Sequence, residues 1–192
     1  MWVVGDYNGW DNRDAAKIIL STATSNGDAE GYVYLTTGGM KLVTDHSWSD
    51  PFTFGDDGAG ALTNPGANIP VDADGYYLIK ANLGDMTYTL TAMEWGVIGA
   101  ATPLAWDDET PLSYDNVRDK WLGGIHLTAG EFKFRANHSW DYNYGSTSAD
   151  ENLDFNGTNM TASVEADYIF ELDFSLELID KVILYTKCLL GF

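Results

Sequence analysis

The chain contains one short segment twice, and the two copies are separated by the length of a small protein domain. Residues 41–48 read Lys-Leu-Val-Thr-Asp-His-Ser-Trp and residues 133–140 read Lys-Phe-Arg-Ala-Asn-His-Ser-Trp, an offset of 92 residues from Lys41 to Lys133. Two shorter matches have almost the same offset: Trp2–Gly5 with Trp95–Gly99, and Gly66–Asn68 with Gly157–Asn159. Solenoid repeats are roughly 20–50 residues long, so this longer period predicts two copies of one whole domain.

Short alternating segments and glycine-rich turns occur in both copies. They predict an all-β fold, with two tandem immunoglobulin-like β-sandwich domains. The predicted strands of the first copy are Trp2–Val4, Gly31–Leu35, Met40–Thr44, Gly75–Ala81 and Met86–Thr91, the last two joined as a hairpin. Those of the second are Trp95–Ile98, Trp121–Leu127, Glu131–Arg135, Tyr168–Leu172 and Lys181–Tyr185. One segment, Asp14–Leu20, has helical spacing, and we expect a helical turn there.

The domain boundary is expected near Met93 and Glu94, where the second copy begins. The first module then covers residues 1–92, the second covers 93–187, and 188–192 form a C-terminal tail with no counterpart in the first copy. Cys188 is the single cysteine of the sequence, so no internal disulfide is expected. No stretch is apolar for long enough to span a bilayer.

The charge of the chain excludes one large class of partner. The formal net charge is −19, from 29 acidic residues against 10 lysines and arginines. Such a surface repels phosphate backbones and anionic lipid, so we expect no nucleic-acid partner. Neutral partners remain, and sugars are the main neutral class. The alternative is that the acidic charge only keeps an exported protein soluble.

Two tryptophans lie in polar turns where there is little core to bury them. Trp10 follows Tyr-Asn-Gly, and Trp106 precedes Asp-Asp-Glu. An indole in such a turn can stack on the C–H face of a pyranose ring while its N–H stays hydrated. We interpret both as carbohydrate-binding residues. The alternative is that each ring folds back onto the edge of its sandwich.

Cations recur at one place in a chain that has few of them. Lys133 and Arg135 alternate with phenylalanines, so we expect the rings to face the core and the cations to face outward. Lys41 occupies the matching position of the first copy, where Val43 replaces the arginine. Lysine and arginine can donate hydrogen bonds to sugar hydroxyls, so Lys41, Lys133 and Arg135 are candidate binding residues and the two sites should differ. The alternative is a solvated strand face.

A second tryptophan follows His-Ser in each copy. Trp48 and Trp140 are candidates for a second wall of the binding site, although they could instead close the end of the sandwich. Asn68 and Asn159 lie in Gly-x-Asn turns. Asparagine usually stabilises such a turn, and donation to sugar is the alternative that makes both residues candidates.

We expect no metal and no cofactor. His46 and His138 are in different copies, whereas zinc needs three or four ligands together. The polar residues of segment 6–14 are spaced like a calcium loop, but the glycine and terminal glutamate of that pattern are absent; calcium is a minor alternative. A glycosidase needs two carboxylates framing a cleft, and no acidic pair lies in a recognisable setting of that kind.

Several segments together indicate a known family. They are Trp95–Trp106, Phe132–Gly145 and Ala166–Phe170 in the second copy, with Trp2–Trp10 and Asp74–Lys80 in the first. On these segments the chain, to about Thr186, resembles the SusE/SusF-type starch-binding outer-membrane lipoproteins of Bacteroidetes. The stretch Phe134–Gly145 also resembles a module that accompanies amylases and pullulanases.

The resemblance implies tandem, surface-exposed carbohydrate-binding modules without enzymatic activity. In the family, an aromatic platform stacks on glucose, while a lysine or arginine and an asparagine bond the hydroxyls. That pattern falls on Trp10, Lys41 and Asn68 in the first module, and on Trp106, Lys133, Arg135 and Asn159 in the second. It also implies an outer-membrane location through a lipid anchor absent from this sequence, a polysaccharide ligand such as an α-glucan, and other components of a glycan-uptake complex as partners.

Other functions stay open at this stage. The chain could be an accessory module of a polysaccharide hydrolase, or a SusE/SusF-like protein specific for another glycan. It could also be a structural or adhesion protein whose aromatic rings pack on a protein partner.

Overall fold

Both halves of the chain are built from β-strands. The computed structural model describes residues 1–21, 28–146, 152–174, 182–184 and 187–188. The chain divides into two compact units, Met1–Ala92 and Met93–Phe192, which we call module 1 and module 2. Within the described residues the helical content is one 3₁₀ turn, Asp6–Asn8, and no helix there is long and apolar enough to cross a membrane.

Module 1 has two antiparallel sheets. Its strands are β1 Trp2–Gly5, β2 Lys17–Ile18, β3 Leu20–Ser21, β4 Asp28–Leu35, β5 Gly38–Val43, β6 Thr53–Asp56, β7 Leu62–Thr63, β8 Ile69–Val71, β9 Gly75–Asn82 and β10 Thr87–Ala92. One sheet has the order β2-β1-β5-β6-β7 with β8 beside β5, and the other has the order β10-β9-β4-β3. Strands β9 and β10 form the predicted hairpin, with Asn82 opposite Thr87.

Module 2 is also built from antiparallel strands. Its strands are β11 Trp95–Ile98, β12 Thr110–Pro111, β13 Ser113–Asp115, β14 Lys120–Leu127, β15 Gly130–Ala136, β16 Ser139–Gly145, β17 Asn152–Phe155, β18 Met160–Ala162, β19 Ala166–Asp173, β20 Val182–Leu184 and β21 Lys187–Cys188. Their order is β12-β11-β15-β16-β17-β20-β19-β14-β13, with β18 beside β15 and β21 beside β19. Of the predicted strand and tail near the C-terminus, residues 181, 185 and 189–192 lie outside the described residues.

Each core lies between facing strands. In module 1, Val33 of β4 and Ile79 of β9 pack in one buried cluster with Met40 of β5, which belongs to the other sheet. In module 2, the ring of Phe170 on β19 meets Phe134 on β15 edge-on, with centroids 5.8 Å apart. Apolar residues that alternate along β4 with half-exposed ones produce this arrangement. The predicted all-β fold of two tandem β-sandwiches is confirmed.

The predicted helical turn at Asp14–Leu20 is wrong. Lys17 and Ile18 form β2, in which Ile18 pairs with Trp2. Ile19 is fully buried in the core of module 1. The backbone of this segment completes the edge of a sheet, and that tertiary pairing overrides a weak local preference for helix.

The strand ladders show which residues of the two modules correspond. Lys41 lies opposite Val4 of β1, and Lys133 lies opposite Ile98 of β11. Two residues further along, Val43 lies opposite Trp2 and Arg135 lies opposite Gly96.

The match of Trp2 with Trp95 that the sequence suggests is therefore one residue out of register. Trp2 corresponds to Gly96, while Trp95 points into the core and is 1% exposed. A Cβ atom at Gly96 would lie 2.8 Å from the Glu109 side chain, so glycine at this position leaves space for that glutamate.

Gly99 directly follows β11, and its backbone lies very close to β15. We expect the replacement of Gly99 by alanine to destabilise module 2. Its φ of 148° disfavours any L side chain, and a Cβ atom would lie 2.3 Å from the carbonyl oxygen of Glu131. Gly99→Ala should lower the free energy of unfolding by about 2–4 kcal/mol, measured by denaturant unfolding. The matched control is Gly124→Ala, since nothing lies within 4 Å of a Cβ atom there. Equal stability of the two variants would contradict the close approach.

Candidate functional site

Each module presents two neighbouring tryptophans. In module 1 the ring centroids of Trp10 and Trp48 are 6.1 Å apart, with 50° between the ring planes. In module 2 Trp106 and Trp140 are 6.3 Å apart at 40°. We call these the tryptophan pairs. Trp48 and Trp140 are each 49% exposed, so they do not close the ends of the sandwiches. Within each module, the structure brings together the two tryptophans that the sequence singled out.

In module 1 a tight turn holds the first tryptophan. The chain leaves β1, passes through the 3₁₀ turn and reaches Gly9 and Trp10 in the left-handed region, at φ of 64° and 63°. The Trp10 indole N–H donates to Asp6 Oδ1 at 2.9 Å, and Asp6 Oδ2 accepts the Gly39 N–H at 2.7 Å. These two bonds favour the carboxylate and lower the pKa of Asp6. Asp6 thus connects the indole to the beginning of β5.

Module 2 holds Trp106 by a related turn. Ala105 is left-handed at φ of 50°, and its carbonyl accepts the Gly99 N–H at 2.9 Å. The Thr102 hydroxyl donates to the Gly99 carbonyl at 2.9 Å. Leu104, two residues before Trp106, is 46% exposed.

Arg135 does not face solvent as the strand alternation predicted. It is 6% exposed. Its Nε donates to Glu109 Oε2 at 2.7 Å, and its Nη2 donates to the same oxygen and to Asp108 Oδ1 at 3.3 Å. Its guanidinium carbon lies 5.0 Å from the centroid of the Trp140 ring. Alternation gave the correct face of β15, but the loop that contains Asp108 and Glu109 covers that face.

The two lysines lie at matching positions with different partners. The Nζ of Lys133 donates to Asn143 Oδ1 at 2.6 Å. The Nζ of Lys41 donates to the carbonyls of Gly66 and, at 3.3 Å, of Ala67. Partial burial lowers the pKa of both lysines. An ammonium group has three protons, so these contacts are compatible with a further acceptor.

Asn143 is a site residue that sequence reasoning missed. It is buried, and it connects Lys133 to the Trp140 carbonyl, which accepts from its Nδ2 at 2.7 Å. The same Nδ2 also bonds Asn156 Oδ1 at 2.7 Å. The ladder places Asn143 opposite Arg135, where module 1 has Thr53 opposite Val43. The available signal was the position of Asn143 on the strand that follows the one with the cations Lys133 and Arg135.

The two predicted asparagines lie in the matching turns and are exposed. Asn159 donates to Glu131 Oε2 at 3.0 Å. Asn68 lies against β5, since a Cβ atom on Gly39 would be 2.8 Å from the Cβ atom of Asn68. A role for either residue in sugar binding stays a prediction.

In module 1 the loop after the first tryptophan is attached to the turn before the second. Asn12 Nδ2 donates to the His46 carbonyl at 2.8 Å, and His46 Nδ1 bonds the Asn12 carbonyl. The ring of Trp2 lies 4.5 Å from that of His46. This contact brings the loop with Trp10 to the turn with Trp48.

In module 2 the corresponding contact is ionic. His138 Nδ1 lies 2.7 Å from Asp108 Oδ1, and the His138 backbone N–H donates to Glu109 Oε1 at 2.8 Å. The hydrogen bond to Asp108, followed by the charge of Glu109, raises the pKa of His138. The bond to His138 lowers the pKa of Asp108.

Within the part of the chain that the structure describes, one group has the composition of a metal site. It consists of Asp108, Glu109 and His138, with ligand atoms within 4.8 Å of one another. Arg135 already pairs with both carboxylates, so a metal ion would have to displace its guanidinium. In the calcium-like segment, Asp6 and Asn8 use their side-chain oxygens for backbone N–H groups.

Comparison with known proteins finds a matching family model and similar solved structures. Residues 1–89 match the family model described as SusF/SusE starch specific CBMs (carbohydrate-binding modules). This match confirms, over module 1, the SusE/SusF resemblance that the sequence indicated. No curated protein matches the chain. A crystal structure of SusF from Bacteroides thetaiotaomicron is similar with a TM-score of 0.39 and 17% identity; the match covers 98% of this chain and 48% of that one. The chain therefore spans about half the length of that SusF chain.

The ionic contact of module 2 predicts a pH dependence. Because the pKa of His138 is raised above the ordinary 6.5, the contact contributes stability that is fully present below pH 6.5 and is lost as the pH rises through the folded-state pKa. NMR titration of the ring proton should give a midpoint above 6.5. Hydrogen bonds to Asp167 and Glu165 also raise the pKa of His126. The NMR signal of His126 should therefore be identified with the variant His126→Gln. A His138 midpoint at or below 6.5 would show that the Asp108 contact is absent in solution.

Proposed function

We propose that the chain is a non-catalytic binding protein for polysaccharide, with starch or a related α-glucan as ligand. The observation that supports this best is the tryptophan pair, built twice from corresponding turns. Exposed indoles are costly to leave in water, and a pair with related geometry in each module is hard to attribute to packing. The match of residues 1–89 to starch-specific modules supports the same ligand class.

The angle within each pair favours a curved glycan. The ring planes meet at 50° in module 1 and 40° in module 2. An α-1,4-linked glucose chain curls, so neighbouring sugars present their apolar faces at an angle to each other. A β-1,4-linked chain is a flat ribbon and is better matched by coplanar rings. The tilted pairs therefore suit an α-glucan.

Polar groups would complete the proposed sites. Lys41 and Lys133 would donate to sugar hydroxyls with protons that their present contacts do not use, and Asn68 and Asn159 would extend the sites along the turns. The proposed location is the cell surface at the outer membrane, with a lipid anchor outside this sequence and other glycan-uptake components as partners. This location and these partners rest on the family resemblance alone.

Removal of one tryptophan from each pair should strongly weaken binding to a soluble α-glucan. Trp106→Ala and Trp10→Ala should each cost on the order of 1–3 kcal/mol at their own site, by analogy with base stacking and interface hot spots. Two sites on one chain add avidity, so a single variant should weaken binding to amylopectin more than to maltoheptaose. Isothermal titration calorimetry measures both, with circular dichroism to check folding.

Cellohexaose provides the matched ligand control, since it has the same sugar with β-linkage and should not bind. A folded double variant that binds amylopectin like the parent would exclude the tryptophan pairs as platforms. Preference for cellohexaose would instead support a protein specific for another glycan.

Binding should be independent of metal, and the chain should hydrolyse no starch. Treatment with EDTA should leave the affinity for maltoheptaose unchanged, because Arg135 pairs with the carboxylates of the one metal-like group in the described residues. Incubation with starch should release no reducing sugar. Loss of binding with EDTA that calcium restores would revive the calcium alternative, and release of reducing ends would favour the hydrolase alternative.

A further inference from the structure

We propose that Arg135 is a positioning residue of module 2: through its buried ion pair with Glu109, it fixes the geometry of the tryptophan pair rather than bonding sugar itself. The affinity part of this proposal rests on the proposed function. The geometric part concerns the two indoles alone, and it can be tested without a ligand.

The ion pair joins two separate segments. Arg135 is on β15, whereas Glu109 ends the loop that contains Trp106 and leads into β12. Both side chains are almost fully buried, at 7% and 6% exposed, and the guanidinium binds the glutamate through Nε and Nη2. Both bonds end on Glu109 Oε2, and charge-assisted bonds of this kind restrict both partners. They attach the loop with Trp106 to the strand of Arg135.

The same guanidinium supports the other tryptophan. Trp140 lies with its ring 5.0 Å from the guanidinium carbon of Arg135, within the range of cation–π attraction. Arg135 thus contacts Trp140 directly and holds the loop of Trp106 through Glu109. Arg135 is therefore placed to set the distance between the two indoles, together with the contacts that His138 makes to Asp108 and Glu109.

The backbone around Arg135 is arranged for this pair. Gly96 lies opposite Arg135 in the ladder, and a side chain there would collide with Glu109. Glu109 Oε1 also accepts the His138 N–H, so its second oxygen is held too. A fully bonded carboxylate is what a buried glutamate requires.

Module 1 shows that the pair geometry can be reached without an arginine at this position. Val43 occupies the place of Arg135, and Trp2 occupies the place of Gly96. There the support comes from the ring contact of Trp2 with His46. The two modules thus support similar tryptophan pairs by different means, and only module 2 should respond to removal of a buried ion pair.

The test uses the whole chain with Trp10→Ala, so that module 2 supplies the remaining tryptophan pair. Two variants remove the guanidinium. Arg135→Met leaves Glu109 unpaired, while Arg135→Met with Glu109→Gln removes both charges at similar volume and guards against failure to fold. Lys120→Met is the matched control, since it breaks the ion pairs with Glu171 and Asp173 of β19 in the same module.

Two properties are measured on each folded variant. The exciton-coupled circular dichroism of the neighbouring indoles reports their mutual geometry, and calorimetry reports the affinity for maltoheptaose. Thermal unfolding verifies that each variant is folded at the temperature used. We expect both Arg135 variants to lose most of the exciton signal and to bind at least about tenfold more weakly, because a disordered platform must be ordered on binding. Lys120→Met should match the parent in both.

Three results would overturn the proposal. In folded variants, parental affinity would show that Arg135 is not needed. Weakened binding with an unchanged exciton signal would make Arg135 a direct sugar ligand. The same losses in Lys120→Met would reduce the effect to general destabilisation. If the parent itself binds no maltoheptaose, the proposed function fails, and the exciton signal alone decides whether Arg135 positions the indoles.

Discussion

The contact between the loop after the first tryptophan and the turn before the second determines the site in each module. The two indoles come from segments far apart in sequence, and they form a pair because that loop folds back over the strand of the site lysine. In module 1 the contact is made by Asn12 and His46. In module 2 it is made by Asp108, Glu109 and His138. The tilt of the rings, the burial of Arg135 and the choice of glycine at Gly96 all follow from it.

Much of the fold could be predicted from the sequence, because duplication and strand alternation are local signals. The repeat around Lys41 and Lys133 gave the correspondence of the two modules and contains Trp48 and Trp140, while the polar turns pointed to Trp10 and Trp106. The signal failed where tertiary contacts decide. Asp14–Leu20 has helical spacing, but this segment completes a sheet edge. Trp2 resembles Trp95 in sequence, but the strand pairing shows that its counterpart in module 2 is Gly96.

The site shows the same limit more sharply. Alternation assigns Arg135 to a face of its strand, but it contains no information about which loop covers that face. The acids that bury Arg135 lie 26 and 27 residues earlier in the chain, and in a sequence with 29 acidic residues no pattern selects them. Asn143 was missed for a related reason, since its importance comes from bridging Lys133 and the Trp140 backbone.

The central claim is that the tryptophan pairs are the surfaces on which an α-glucan lies. The most direct measurement is a crystal structure of the chain with maltoheptaose at saturating concentration. The account predicts glucose rings stacked on Trp10 and Trp48, and on Trp106 and Trp140, with the oligosaccharide curved across each pair and Arg135 beneath Trp140 without contact to sugar. An ordered oligosaccharide elsewhere on the described surface, with both tryptophan pairs open to solvent, would contradict it.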